Sequence, residues 1–405
     1  MTPSLSVSAS SERLPIGALL ALAMTGFICI VTETLPAGLL PLISDGLSIS
    51  PSMAGQMITA YALGSVLAVI PMTIATRGWR RRNVLLLTIV GFLVFNSITA
   101  LSSHYGVTLA ARFFAGVAAG LAWSLLAGYA RRMVAPQQQG RALALAMVGT
   151  PIALSLGVPL GTWLGGLLGW RTTFGLMSLL TLMLIVWVLV KVPDYAPQAA
   201  HQRVSLGKVL ATPGVRPVLA VVISWMLAHN ILYTYIAPFV AAAGLAERVD
   251  VVLLVFGMAA LVGIWLTAKR VEPLLRKTVL LSLAAFAAVS VAFGTLGNVP
   301  EVIYLGVVVW GLSFGGAATL LQTALADAAG DGADVALSLN VVAWNCAIAG
   351  SGVVGGVLLE TWGVTSFPWV MVFLIAVSFA IACGAKTHGF QPGARGKHKP
   401  VVAGH

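Results

Sequence analysis

Residues 14–43 read LPIGALLALAMTGFICIVTETLPAGLLPLI and contain one charged side chain, Glu33. A membrane-spanning helix needs about 20 mostly apolar residues, because each residue adds about 1.5 Å across a hydrocarbon core of about 30 Å. Arg13 before this run resembles the start of a secretory signal, but no small-residue cleavage site precedes the polar loop at 44–52, and more apolar runs follow. We therefore expect residues 14–43 to form the first membrane-spanning helix.

The composition of the whole chain agrees with a membrane protein. Of its 405 residues, 59% are hydrophobic and only 9% are charged, whereas soluble domains carry about 25% charged residues. Cys29, Cys346 and Cys383 all lie in apolar runs, so their spacing suits neither a disulfide framework nor a metal cluster, and we predict three small core residues. The sequence predicts no metal site and no cofactor.

Twelve apolar runs of sufficient length occur along the chain. We place the spans at 14–43, 52–76, 83–102, 106–130, 142–168, 172–191, 217–243, 250–268, 278–297, 302–325, 335–358 and 365–385. One long polar stretch, 193–216, divides them six and six, which is typical of the repeats in secondary transporters. We expect an N-terminal half at 1–192, a cytoplasmic linker at 193–216, a C-terminal half at 217–390 and a disordered cytoplasmic tail at 391–405.

The basic residues predict the orientation in the membrane. Twenty of the 23 Lys and Arg residues fall in the termini and in alternate loops on one side, against Arg171 and Arg248 on the other side and Arg112 within a span. Because cytoplasmic loops carry the excess of Lys and Arg, both termini should be cytoplasmic. The net charge of +11 is thus spread over membrane-flanking loops, so we predict lipid and not nucleic acid as the partner of these charges.

Two charged residues lie inside the apolar part of the first half. An ionisable residue within the membrane indicates a functional site, and the expected depths of Glu33 and Arg112 would allow their long side chains to meet. Pro36 lacks an N–H, which frees the carbonyl oxygen of Thr32 beside Glu33 and favours a break in the helix. We predict that this pair handles a proton; a static buried pair that fixes helix register is the alternative.

The fifth span carries small residues at every fourth position. A stripe of this kind lets a neighbouring backbone approach closely; its members are Gly149, Ala153, Gly157, Gly161 and Gly165. Pro151 and Pro159 in the same span favour bending. Tight packing and a deformable helix at a moving interface both remain open.

Aromatic and amide side chains interrupt the apolar spans, chiefly in the second half. Such residues suit a cavity for an uncharged or amphiphilic organic molecule. We expect it to be lined by Trp123, His229, Asn230, Tyr233, Trp310 and Asn345. His229 is also a candidate for a second proton site.

Signatures of an enzyme are weak in this sequence. Residues 311–315, GLSFG, match the G-x-S-x-G pattern, but that pattern marks a nucleophile only at a strand-to-helix elbow, and here it falls within an expected membrane helix. No P-loop of the G-x-x-x-x-G-K type is present. We predict that the chain is not an enzyme.

Six stretches in order along nearly the whole chain carry a resemblance to a known family. They are TETLPAGLLP (32–41), RGWRRRNVLLL (77–87), ARFFAG (111–116), GVPLGTWLGGLLGWRTTF (157–174), LYTYIAPFV (232–240) and SLNVVAWN (338–345). With these motifs the chain resembles the major facilitator superfamily. Within it, the chain resembles the bacterial twelve-span drug:proton antiporters, which include arabinose-efflux-like, purine-nucleoside-efflux and chloramphenicol-resistance exporters.

This resemblance implies an all-α fold of two six-helix bundles around a central cavity, in the bacterial inner membrane. It implies a monomeric protein that exports a small organic molecule by alternating access, driven by proton entry. It assigns Arg112 to the fourth-helix arginine motif and residues 157–166 to the fifth-helix antiporter motif. A facilitator without proton coupling, and a receptor or scaffold that has lost transport, remain alternatives.

The loop after the second span departs from the family pattern. The family usually has an Asp before the first Arg of this loop, and here Thr76 precedes Arg77. The loop between the tenth and eleventh spans is acidic, although the other loops on the same side are basic. In the family fold the start of the eleventh helix faces the basic loop after the second span, which here offers Arg77, Arg80 and Arg81. We therefore predict a gate in which Asp334, aided by Asp331, pairs with Arg77 or Arg81. A carboxylate that only favours the positive end of the helix dipole is the alternative.

Overall fold

The computed structural model describes residues 14–76, 78–197 and 206–393, apart from the side chains of Ile70, Pro136 and Asp334, and these residues form helices joined by short turns, with no β-strand among them. The helices of the first half are α1 Ile16–Gly38, α2 Leu40–Leu47, α3 Pro51–Ala75, α4 Arg81–Leu101, α5 Tyr105–Arg132, α6 Gln139–Met147, α7 Gly149–Ile152, α8 Val158–Leu168 and α9 Trp170–Lys191. A π-helical turn, Ala153–Gly157, joins α7 to α8.

The second half follows the same plan after a linker that is itself partly helical. Its helices are α10 Leu206–Ala211, α11 Val215–Thr234, α12 Ile236–Ala241, α13 Val249–Leu296, α14 Pro300–Gly315, α15 Ala317–Ala329, α16 Ala333–Trp362 and α17 Phe367–Gly384. The short α10 lies within the expected linker, and Gly332 at the start of α16 packs against its Val209 side chain.

The described part of the chain has eleven helical segments long and apolar enough to cross a membrane, and one of them supplies two crossings. At 48 residues, α13 is about 72 Å long at 1.5 Å per residue, more than twice the membrane core. Pro273 lies inside it, and Leu274 departs from helical geometry at φ −140° and ψ 31°. The expected spans 250–268 and 278–297 are therefore joined through a kink without a loop, and the all-helical twelve-span fold is confirmed.

The break in the first span falls later than the sequence predicts. Helix α1 continues through Pro36 and ends at Gly38, and α2 starts at Leu40 with Pro41 in its first turn. The first span of the second half breaks in a similar place, because α11 ends at Thr234 and α12 contains Pro238. A proline lacks the N–H for the helical hydrogen bond, so ending the helix near it costs less free energy than ending it elsewhere.

The two ends of the bundle differ in charge and in how the halves meet. The end that contains Arg80, Arg81, Arg82, Arg131 and Arg132 is called the basic end. At the opposite end α3 and α16 run together: Gln56 Nε2 donates to the Gly352 carbonyl oxygen at 3.0 Å, and Thr59 Oγ1 donates to that of Ala349 at 3.3 Å. Ser50 Oγ, which also caps α3, donates to Glu360 Oε1 at 3.2 Å. The halves are thus joined at the end away from the basic loops.

Arg276 closes the end of the second half. Its Nη1 donates to the carbonyl oxygens of Ala382 at 2.6 Å and Phe390 at 2.9 Å, and its Nη2 donates to that of Cys383 at 3.0 Å. A helix leaves its last carbonyl oxygens without partners, so Arg276 satisfies those of α17 and anchors the following turn, in which Phe390 is fully buried. Of the expected tail, residues 394–405 lie outside the described part.

The cysteines do not share one environment. Cys29 is buried as expected, but Cys346 is exposed and Cys383 only partly buried. The prediction of three core cysteines is wrong for Cys346, because a helix in lipid places apolar residues on its outer face as readily as in its core.

Candidate functional site

Glu33 on α1 and Arg112 on α5 meet inside the first half. Glu33 is 6% exposed and Arg112 is fully buried. Arg112 Nη2 donates to the main-chain carbonyl oxygen of Glu33 at 3.3 Å, and Nε donates to that of Met57 on α3 at 3.4 Å. The guanidinium also lies 4.9 Å from the centre of the Tyr61 ring, a cation–π contact. Arg112 therefore links three helices.

The two charged groups are neighbours without forming an ion pair. Within the described residues, Glu33 Oε1 and Arg112 Nη1 are both buried and have no hydrogen-bond partner. Leaving buried polar atoms unpaired costs free energy, and such atoms occur where a site changes state. The structure brings the two predicted residues together, but it attaches Arg112 to the backbone of α1 and not to the carboxyl group.

Polar residues that sequence analysis missed support this pair. Asn96 on α4 is fully buried and its Nδ2 donates to Thr32 Oγ1 at 3.0 Å. The Tyr61 hydroxyl donates to the carbonyl oxygen of Cys29 at 2.8 Å. Both bonds fix α1 next to Glu33. Asn96 could have been found from the sequence, because it is a single Asn in the middle of an apolar span.

The second half contributes an aromatic cluster, formed by His229, Tyr233, Phe256, Trp310 and Phe314. Trp310 Nε1 donates to His229 Nδ1 at 3.1 Å. The Phe314 ring stacks on the imidazole with 3.4 Å between centroids and an angle of 4°. Three of the predicted cavity residues thus meet here, whereas nothing in the sequence distinguishes Phe256 and Phe314 from other apolar residues.

Tyr233 brings the cluster close to the charged pair across the seam between the halves. Its hydroxyl lies beside Thr34 and within electrostatic reach of Glu33, yet it forms no hydrogen bond of normal geometry with any described residue. The Glu33 carboxyl group of the first half and the Tyr233 hydroxyl of the second half therefore lie near each other at the seam.

The remaining predicted cavity residues lie outside this cluster. Asn230 and Asn345 are partly exposed, and each amide donates within its own helix, to Met226 at 2.8 Å and to Val341 at 3.0 Å. Trp123 packs on α1 at Gly26, seven residues from Glu33 towards the basic end. The residues of the 311–315 pattern lie in helix α14, where the Ser313 hydroxyl bonds to the carbonyl oxygen of Trp310 at 2.9 Å.

The fifth span packs against the first half on one face and against the second half on another. Its stripe of small residues packs against α1 within the same half: a Cβ on Gly149 would collide with the Ala23 backbone, and Gly157, Gly161 and Gly165 face Phe27, Leu35 and Leu39. Its π-helical turn, which lies between Pro151 and Pro159, faces the other half, because a Cβ on Gly257 of α13 would collide with the Ser155 backbone. The fifth span is therefore closely packed on both faces, and its π-helical turn lies on the face towards the other half.

At the basic end, Arg80 pairs with Asp194, which follows α9. The Arg82 main-chain N–H also donates to Asp194 at 3.2 Å, and that of Arg81 donates to the Tyr195 carbonyl oxygen at 3.0 Å. The partner of Arg80 is therefore at the start of the linker and not in the second half. Arg77 and the Asp334 side chain lie outside the described residues, so their pairing stays a prediction.

Comparisons with known proteins identify the family to which this chain is similar. The sequence matches the family model of the Major Facilitator Superfamily over residues 22–348. A probable sugar efflux transporter of Mannheimia succiniciproducens is 29% identical over 366 residues, 89% of this chain and 91% of that protein. The purine ribonucleoside efflux pump NepI of Escherichia coli K12 is 29% identical over 347 residues, 83% of this chain and 86% of that protein.

A solved structure shows the same fold. It is a bacterial homologue of the human lysosomal transporter Spinster, in an inward-facing and unoccupied conformation. It superposes with a TM-score of 0.71 at 12% identity, over 95% of this chain and all of the other.

Proposed function

The chain belongs to the Major Facilitator Superfamily, and on this basis we propose that it exports a small uncharged organic molecule across the bacterial inner membrane in exchange for protons. The observation that carries the proposal is the Glu33–Arg112 pair, which is buried beside the seam and has an unpartnered atom on each side. Buried unpaired groups of opposite charge are costly as static structure, but they suit a site that binds and releases a proton.

We propose that protonation is coupled to packing because Arg112 can bind either backbone carbonyl oxygens or the Glu33 carboxylate. When Glu33 is protonated, the guanidinium keeps its bonds to the carbonyl oxygens of Glu33 and Met57, as seen here. When the proton leaves, the carboxylate attracts the guanidinium strongly, because little water screens charges at this depth. Exchanging the backbone bonds for an ion pair with Glu33 would keep α5 linked to α1 but loosen its link to α3. Proton release would thereby change how the first half packs at the seam.

The joined end of the halves supports alternating access. The bonds between α3 and α16 close the bundle away from the basic loops, and the basic side of a membrane protein is cytoplasmic. The conformation therefore corresponds to a carrier that is closed towards the outside. Opening requires these bonds to break, while Asp334 and the basic loop form the proposed gate on the cytoplasmic side.

The relatives and the aromatic cluster guide the choice of transported molecules. The relatives are described as efflux proteins for sugars and purine ribonucleosides, and both classes are uncharged and carry neighbouring hydroxyl groups. Aromatic rings combined with a few polar groups suit such molecules. We therefore propose a sugar or a ribonucleoside as cargo.

Uptake into inverted membrane vesicles tests the proposal. Vesicles with an acidic interior should accumulate radiolabelled inosine or L-arabinose against its gradient, and Glu33→Gln should reduce this uphill accumulation at least about tenfold because the proton carrier is gone. Glu301→Gln is the matched control, since Glu301 is exposed at the start of α14. Unchanged accumulation by Glu33→Gln would refute the role of Glu33. Downhill exchange without any effect of the pH gradient would instead identify a facilitator.

A further inference from the structure

The surroundings of His229 leave one edge of its ring without a described partner. Phe314 stacks on the imidazole, and Tyr233, Phe256 and Trp310 lie with ring centroids 5.5, 5.7 and 5.2 Å away. Nδ1 accepts the hydrogen bond from Trp310. His229 remains 6% exposed, and no described residue bonds to Nε2. The ring is therefore held in place with Nε2 as its remaining polar atom.

The bond from Trp310 decides where the imidazole proton lies. An indole N–H can only donate, so Nδ1 must accept with its lone pair and cannot carry a proton. A neutral imidazole carries one proton, which then sits on Nε2. A second proton on Nδ1 would require the Trp310 bond to break inside a packed aromatic cluster. This geometry conflicts with the expectation that His229 is a second proton site.

We propose that His229 does not carry a transported proton but donates a hydrogen bond from Nε2 to an acceptor atom of the cargo, with Trp310 fixing the tautomer. The proposal rests on the proposed function and adds a residue that determines specificity. Tyr233 supplies an independent observation. It is 3% exposed, its hydroxyl lies beside Thr34 but forms no hydrogen bond of normal geometry with any described residue, and it lies four residues from His229 on the same face of α11.

These two groups define the chemistry of the ligand. Side chains four residues apart on a helix lie about 6 Å apart, so one molecule can bind both. The ligand needs an acceptor oxygen or nitrogen for His229 and a nearby hydroxyl, carbonyl or N–H for Tyr233. The carboxyl group of Glu33 across the seam disfavours an anion. We therefore infer an uncharged molecule with two adjacent polar groups, such as neighbouring hydroxyls or the edge of an amide.

Nitrogen NMR tests the tautomer without any transported molecule. In protein labelled with ¹⁵N at its histidine rings and reconstituted in nanodiscs, the His229 signals are identified by their loss in His229→Gln. Wild type should show a protonated Nε2 and an unprotonated Nδ1 at both pH 5.5 and pH 8. Trp310→Phe should lose this preference, because the donor is gone and the ring shape remains. A protonated Nδ1 in wild type at either pH would overturn the proposal.

Transport kinetics test the role towards cargo. With inosine as the probe, His229→Leu should raise KM about tenfold, since the acceptor of the cargo would lose its partner, and it should keep the dependence on the pH gradient. His229→Gln, which still offers an N–H, should stay within about threefold of wild type. An unchanged KM in His229→Leu, or loss of proton coupling in both variants, would overturn the proposal. Failure of the proposed function would appear separately, as uptake by wild type that ignores the pH gradient.

Discussion

Asp194 and Arg80 form an ion pair that ties the start of the linker to the loop between α3 and α4. The Asp194 side chain is 14% exposed and that of Arg80 is 61% exposed. Around this pair, the Tyr129 hydroxyl donates to the carbonyl oxygen of Pro193 at 2.7 Å, and Arg132 donates to that of Ala196 at 3.2 Å. The described residues directly after α9 are therefore held by groups of the first half.

Asp194→Asn should lower the melting temperature of the purified protein by about 1–3 °C at pH 7. The effect is small because water screens the exposed side of the pair, and such pairs contribute about 0–1 kcal/mol. Differential scanning fluorimetry in detergent measures it. Asp250→Asn serves as the control, since Asp250 lies at the opposite end, in the first turn of α13.

The same pair predicts a dependence on pH. Partial desolvation opposes ionisation of Asp194, but hydrogen bonds from Arg80 and from the Arg82 N–H, together with the charges of both arginines, hold its pKa below the usual value. A lowered pKa contributes stability above the unfolded value of about 3.9, and this contribution is lost as the pH falls through the folded value. The difference between wild type and Asp194→Asn should thus persist at pH 5 and shrink below about pH 4. A difference that grows on acidification would contradict this assignment.

Tyr235→Phe should shift the protein towards a state that is open at the end opposite the basic loops. The Tyr235 hydroxyl donates to the Gly352 carbonyl oxygen of its own half at 2.6 Å and lies 3.5 Å from the Ser52 carbonyl oxygen across the seam, and its ring fills the space beside Gly55 of the first half and Gly355 of the second. Losing the hydroxyl that reaches Ser52, with a contribution of at most about 1 kcal/mol, should change the ratio of open to closed states by up to about fivefold. Spin labels at Ser48 and Thr361 would report the distance across this end.

Tyr105→Phe is the matched control for that experiment. The Tyr105 hydroxyl donates to the Met53 carbonyl oxygen at 2.8 Å, a similar bond between two helices of the same half. Its removal should leave the distance distribution unchanged. If both variants shift the distribution equally, the Tyr235 bond has no special role in closure.

Gly257→Val should block transport while both halves remain folded. A side chain at Gly257 would collide with the Ser155 backbone on the other half, so the halves could not approach as closely as they do here. Gly149→Val should instead reduce the yield of folded protein, because Gly149 packs on α1 within its own half. Size-exclusion profiles and uptake assays separate the two outcomes. Gly175→Ala, with open space around it, is the control.

Asp334→Asn tests the proposed cytoplasmic gate. If Asp334 pairs with Arg77 when that side closes, the substitution should reduce the closed population several-fold, as measured between spin labels across the basic end. Arg77→Ala should have the same effect, and the double variant should add little to either change. Unchanged populations in both single variants would leave Asp334 as an ordinary helix-start residue.

The sequence was sufficient for the spans because lipid imposes a simple rule on their length and polarity. It also singled out Glu33 and Arg112, since charged residues inside a membrane helix are rare. Their meeting could be inferred from depth alone. The break at Leu39 instead of Pro36 could not, because a proline within a helix is tolerated when neighbouring helices satisfy the freed carbonyl group.

Contacts between residues distant in sequence were beyond prediction. Asp194 lies in the linker, 114 positions from Arg80. No pattern in the neighbouring residues predicts that the two side chains pair. Gly257 and Tyr235 both belong to the second half, but the contacts that make them important are with residues of the first half. The bond from Trp310 to His229 Nδ1 over 81 positions could not be predicted either, because the sequence shows that an imidazole is present but not which nitrogen accepts a hydrogen bond.

The three carbonyl oxygens bound by Arg276 have a consequence for biosynthesis. They lie 106, 107 and 114 residues further along the chain, so this guanidinium leaves the ribosome long before its partners exist. Until Phe390 emerges, Arg276 lacks one of its three carbonyl partners and the turn after α17 is not anchored, which should delay the final packing of the second half. A nonsense codon shortly before position 390 should therefore produce a polypeptide with all twelve spans that membrane proteases degrade, whereas one after 393 should be tolerated.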